Sequence, residues 1–124
     1  MKKGLLVGIG VLVILLFQVS VAPANKSEAS IEGPADAAKG SEVTLRITAT
    51  HNASTASHYT EWLKVMANKK EIARWDYNKE NRPDGAVFTK EIKIRVTEDT
   101  EIVAEASCNN HGSKGPAKHK IVVK

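Results

Sequence analysis

From residue 42 onward, apolar and polar residues alternate with a period of two. In 42–49 (EVTLRITA), Val43, Leu45, Ile47 and Ala49 fall on one side and Thr44, Arg46 and Thr48 on the other. That is the pattern of a strand with one buried face. The stretch 58–66 (HYTEWLKVM) reads as a second strand, with Tyr59, Leu63 and Val65 on one face and Trp62 and Met66 on the other. Asn68-Lys69-Lys70 supplies a hairpin turn into 71–77, where Ala73, Trp75 and Tyr77 share a side. After a polar loop ending in Pro83-Asp84-Gly85, the alternation resumes in 88–96, in 101–108 (Ile102, Ala104, Ala106, Cys108) and in 118–124 (His119, Ile121, Val123). Six short strands at regular spacing, with no amphipathic helix among them, predict an all-β fold. At this size the expected form is an immunoglobulin-like antiparallel β-sandwich spanning 41–124.

Two regions lie outside that alternation. Residues 25–40 (NKSEASIEGPADAAKG) are small and polar with a Gly-Pro step, and read as a linker. Before them, Met1-Lys2-Lys3 precedes the apolar run 4–17, and Ala22-Pro23-Ala24 offers a small-x-small cut site. Residues 1–24 are therefore expected to be a signal peptide or, if uncut, an N-terminal membrane anchor. Either reading exports the rest of the chain, to a periplasmic or other extracytoplasmic location. The apolar core is about signal length, and only when extended to Ala24 does it approach the roughly 20 residues of a membrane span.

Composition narrows the function. The 124 residues carry 18 Lys and Arg against 14 Asp and Glu, a net charge of +4, of which Lys2 and Lys3 supply two. No basic stripe remains to argue for nucleic acid as a partner. A single Cys forbids an internal disulfide and any four-cysteine metal site in one chain. In an exported protein such a Cys is intermolecular, functional or merely tolerated. Oligomeric state is left open by the sequence, a homo-oligomer being among the options.

Residues of metal-binding type gather in two compact pairs, His51-x6-His58 and Cys108-x2-His111, each at a junction of strand and loop. In a sandwich such junctions collect at the sheet ends, so the pairs can meet. A thiolate with imidazoles suits zinc, copper or iron. Taken singly, a His is usually a surface or satisfied residue and a buried Cys a small hydrophobe, and spacing alone does not choose between the readings.

The segments Thr50-His51-Asn52, His58-Tyr59-Thr60-Glu61-Trp62-Leu63 and Ala106-Ser107-Cys108-Asn109-Asn110-His111-Gly112 resemble the iron-binding domain of superoxide reductases, the desulfoferrodoxin and neelaredoxin family. The resemblance implies an immunoglobulin-like sandwich and a mononuclear iron with four equatorial imidazoles, an axial thiolate and an open position opposite sulfur. His51, His58 and His111 would be imidazole ligands and Cys108 the axial, catalytic thiolate. Superoxide would be the substrate, reduced by one electron to peroxide. With no room for a four-cysteine iron domain, an external electron donor is required.

The chain departs from that pattern at the fourth imidazole, which the family draws from a Glu-Lys-His stretch upstream of the first strand. No His occurs before His51. Glu32 and Asp36 are the carboxylates of that region, and His119 is a candidate substitute, though its setting reads as an ordinary strand position. A site of three imidazoles and one thiolate also suits copper, which is kept as the alternative metal; structural zinc is chemically allowed. Two other classes of function compete: a non-catalytic metal carrier or electron-transfer module on this fold, and a metal-free adhesion or interaction domain. Trp62 and Tyr59 are read as packing residues, with a supporting role around His58 as the lesser option.

Overall fold

The computed structural model describes residues 25–124; the signal or anchor expected in 1–24 lies outside the described residues. Eight strands follow one another: β1 (Glu28–Glu32), β2 (Asp36–Ala37), β3 (Ser41–Thr50), β4 (Thr60–Ala67), β5 (Lys70–Asp76), β6 (Val87–Val96), β7 (Thr100–Cys108) and β8 (Ala117–Val123). They form a three-stranded sheet in the order β1-β3-β6 and a five-stranded sheet in the order β2-β8-β7-β4-β5. All pairings are antiparallel except β2 with β8. The all-β expectation holds, and the two sheets enclose one core as an immunoglobulin-like sandwich does.

The alternation in the sequence is what builds that core. Leu45 and Ile47 of β3, Leu63 and Val65 of β4, Ile102 of β7 and Ile121 of β8 are fully enclosed. Each such side chain contributes about 1.5–3 kcal/mol by leaving water. Their polar neighbours along the strands face outward.

Residues 25–40 differ from the linker expected there. β1 adds to the edge of β3, with Ala29 opposite Ala49 and Ile31 opposite Ile47, and β2 runs beside the end of β8. The segment hides its strand because only Ala29 and Ile31 mark the buried face. An edge strand needs few apolar residues, since one of its sides has no neighbour.

The second strand also differs from expectation. It begins at Thr60, because a bulge between Thr60 and Trp62 inserts one extra residue against β7. The bulge shifts the alternation by one, so Thr60 is buried together with Leu63 and Val65 while His58 and Tyr59 stand in the preceding loop. A period of two cannot be carried across a bulge. The hairpin between β4 and β5 turns where expected, with Asn68 and Lys69 at φ 48° and 70°, the doubly positive turn that matches strand twist.

Asparagines close both ends of the β4–β7 ladder. At one end Asn68 N–H donates to Glu101 O (2.9 Å) while its Oδ1 accepts from Glu101 N–H (2.9 Å). At the other, Asn109 N–H donates to Tyr59 O (3.0 Å) and Asn109 Oδ1 accepts from Tyr59 N–H (2.9 Å). Each side chain stands in for one further ladder residue, and the second does so beside His58.

Candidate metal centre

Three loops converge at one end of the sandwich. The first leaves β3 at His51, whose N–H donates to Ala86 O (2.9 Å). It returns through a tight turn in which Thr55 and His58 exchange main-chain bonds of 2.8 and 3.2 Å. The second follows β7: Cys108 and Gly112 exchange bonds of 2.9 and 3.1 Å, and Asn109-Asn110-His111 forms the tip. Gly112 sits at φ 80°, a left-handed conformation that glycine adopts without strain. The third is the start of the described chain, where Ser27 N–H donates to Gly112 O (3.1 Å) and Ser27 O accepts from Lys114 N–H (2.9 Å).

These loops bring all four expected ligands together. Ligand atoms of His51, His58 and Cys108 lie within 4.8 Å of one another. His111 joins them, with Nδ1 at 3.1 Å from His58 Nε2 and 3.9 Å from Cys108 Sγ. His51 packs edge-on to His58, and His58 edge-on to His111, at ring separations of 4.5 and 4.9 Å. Exposure is graded across the cluster: Cys108 (2%) and His51 (6%) form its floor, His58 is half-buried and His111 faces solvent.

Polar main-chain groups orient this set. Asn110 N–H donates to Cys108 Sγ (3.4 Å). Asn109 and Asn110 both donate from Nδ2 to Ser57 O, at 3.2 and 2.8 Å. Together with the Tyr59 bonds, these contacts hold the residues on either side of His58. Both ring nitrogens of His51 face main-chain carbonyls: Nδ1 lies 2.8 Å from Ala53 O, and Nε2 lies 3.0 Å from Asn25 O.

The other candidates are elsewhere. His119 Nε2 lies 2.9 Å from Pro34 O. It pairs with Ile102, six residues before Cys108 on β7, so it stands about 20 Å from the cluster at the rise of a β-strand. His119 is therefore not the substitute ligand. Glu32 is paired with Arg46 at 3.9 Å and Asp36 with Lys124 at 3.1 Å, both on strands and away from the cluster. Trp62 lies under Lys64 and Arg74, with their charges 5.1 and 5.4 Å from the ring centroid. Tyr59 contributes through its main chain.

Several contributors were not singled out in the sequence, Asn109 and the main-chain groups of Asn25, Ala53 and Asn110 among them. Asn109 had a signal, since it directly follows Cys108. Asn25 had none, because a main-chain carbonyl leaves no trace in residue type.

A family model described as Desulfoferrodoxin matches residues 22–114. No curated protein matches the sequence. Among solved structures, the superoxide reductase (neelaredoxin) of Ignicoccus hospitalis is similar at 18% identity and a TM-score of 0.66, over 86% of this chain and 89% of that one. The sulfur carrier protein SoxY of Chlorobium limicola is similar at 11% identity and a TM-score of 0.59, over 94% and 96%. Likeness at such identities shows the sandwich alone, and the family assignment rests on the sequence match.

Proposed function

Because the chain belongs to the desulfoferrodoxin family, we propose that it is a superoxide-reductase-like metalloprotein that holds one iron ion with His51, His58, His111 and Cys108. The observation that carries this reading is the meeting of three imidazoles and one thiol from segments far apart in sequence. The donor set fits the ion: imidazole nitrogen and thiolate sulfur both suit iron.

When bound, iron supplies the one-electron couple through which superoxide takes one electron and two protons and leaves as hydrogen peroxide, the electron being restored by an external donor. The chain's own residues prepare the place. Cys108, enclosed by β7 and the 109–112 loop, presents its sulfur to the cluster and accepts from Asn110 N–H. Ala53 O orients the His51 ring from behind, the arrangement in which a ligating imidazole is fixed by the bond its other nitrogen makes. His111 stands at the solvent edge, where substrate and protons arrive. We further propose export of the mature domain, on the strength of Lys2-Lys3 and the apolar run behind them.

The test joins metal quantification, absorption and pulse radiolysis on the full chain. Stoichiometric iron, a sulfur-to-iron charge-transfer band lost in Cys108→Ala, and superoxide decay faster than with free iron are expected. Reversible one-electron cycling without accelerated decay would leave a carrier or electron-transfer module. Absence of any stoichiometric metal would falsify the proposal.

A further inference from the structure

The contact between His51 Nε2 and Asn25 O carries more than a structural bond. A neutral imidazole has one N–H, yet His51 places both ring nitrogens against carbonyl oxygens, at 2.8 and 3.0 Å. In the neutral ring, one of these contacts therefore sets a nitrogen lone pair against an oxygen lone pair. Such a pair is relieved only by a cation near both atoms, a second ring proton or a metal ion.

The surroundings decide which contact it is. Ala53 O belongs to the same loop as His51, two residues on, and Ala53 lines an outward polar cleft of about 610 Å³ with residues 80–86. Asn25 lies two residues before Ser27, which is bonded to Gly112 beside His111. Nε2 is thus the nitrogen on the side of the cluster, and Nδ1–H is the natural donor to Ala53.

The spacing fits a shared cation. Two ligand atoms each about 2.1 Å from one ion and at right angles lie about 3.0 Å apart. His58 Nε2 and His111 Nδ1 show that separation, at 3.1 Å, and His51 Nε2 and Asn25 O repeat it at 3.0 Å. We infer that the Asn25 main-chain carbonyl is a further ligand of the ion in this cluster, placed beside His51 Nε2.

The inference rests on the metal reading above and extends it. No fourth imidazole reaches the cluster, and an oxygen from the segment entering β1 takes a position there. A carbonyl is a hard donor, so the set becomes less suited to copper(I) and better suited to a divalent ion. The ion would also tie the chain at Asn25 to the floor of the site.

Cobalt(II) loaded into the full chain, kept in mild detergent, provides the test, with zinc as the diamagnetic control. Asparagine is labelled with carbon-13 at the carbonyl, and the Asn25 signal is assigned by its disappearance in Asn25→Ser. Cobalt is expected to shift that signal far outside its zinc position while leaving that of Asn68, at the opposite end of the β4–β7 ladder, in place. Trypsin cleavage after Lys26, measured relative to cleavage after Lys69, is expected to slow by about tenfold or more, since cleavage follows the opened population of a segment. A sulfur-to-cobalt absorption band with an unmoved Asn25 carbonyl, or with unchanged or faster cleavage after Lys26, overturns this inference and leaves the metal reading standing. No band and no binding overturn both.

Discussion

Replacing Asn109 by alanine separates the building of the site from the building of the fold. The side chain makes two bonds outside its own loop, accepting from Tyr59 N–H at 2.9 Å and donating to Ser57 O at 3.2 Å. Each contributes about 0.5–1.5 kcal/mol net, so the loss is expected to be about 2 kcal/mol. For a domain of this size that corresponds to a fall in Tm of roughly 10 °C. The second effect is on His58, which lies between the two residues that Asn109 holds. Residues that orient a ligand typically contribute 10–100-fold to metal affinity, and cobalt titration against a chelator should show a loss of about that size. His58→Ala supplies the control, because Asn109→Ala should add little to the loss of affinity once His58 is gone. If Asn109→Ala lowers Tm but leaves cobalt affinity within about twofold, the clamp serves only the fold and the reasoning about His58 fails.

Ser27→Ala leaves the buried Thr60 hydroxyl without its partner at 2.7 Å; urea unfolding of the metal-free chain should report a loss of about 1–3 kcal/mol. Ile121→Ala, at a fully enclosed position opposite Thr100 and so eight residues along β7 from Cys108, should cost about 2–5 kcal/mol by the same measurement while the cobalt spectrum of the folded fraction stays unchanged. Burial, and then the negative charge of Asp84, hold the Tyr77 hydroxyl above the usual tyrosine range. Above pH 10 the unfolded chain therefore loses this proton before the folded one does, and stability should fall as pH rises through the folded value. Tyr77→Phe should flatten that alkaline decline, and an equal slope in both proteins would refute the assignment.

The central strands were legible because each is buried on one face and solvated on the other. β3, β6, β7 and β8 carry that alternation without interruption, so their inward residues could be named from the sequence. β1 was not legible: Ala29 and Ile31 are too few to stand out beside Gly33-Pro34, and the strand is defined by its pairing with β3. The phase of β4 was misread at its start because Glu61 is an inserted residue, visible only against the register of β7. At the site, His51, His58, Cys108 and His111 were readable because side-chain chemistry is written in residue type. The contributions of Ala53, Asn110 and Asn25 are main-chain atoms, which any residue would supply, and only the fold brings them to the cluster. His119 shows the converse. Its alternation correctly predicted a partly inward position, but not that β8 places it at the far end of the sheet.

The distance along the chain between the two halves of the cluster sets the order in which it can form. His58 and His111, whose ring nitrogens lie 3.1 Å apart, are separated by 53 residues. Their approach requires β7 to have paired with β4 and the intervening hairpin and β6 to be in place. Long-range pairing of this kind is paid for in loop entropy before any contact rewards it, which makes it a late and slow event in folding. The unclosed chain therefore offers a passing ion only two separate short pairs, His51 with His58 and Cys108 with His111, each weak and unspecific. Full capture follows closure of the sandwich, and release is expected to be limited by the rate at which the β4–β7 end reopens.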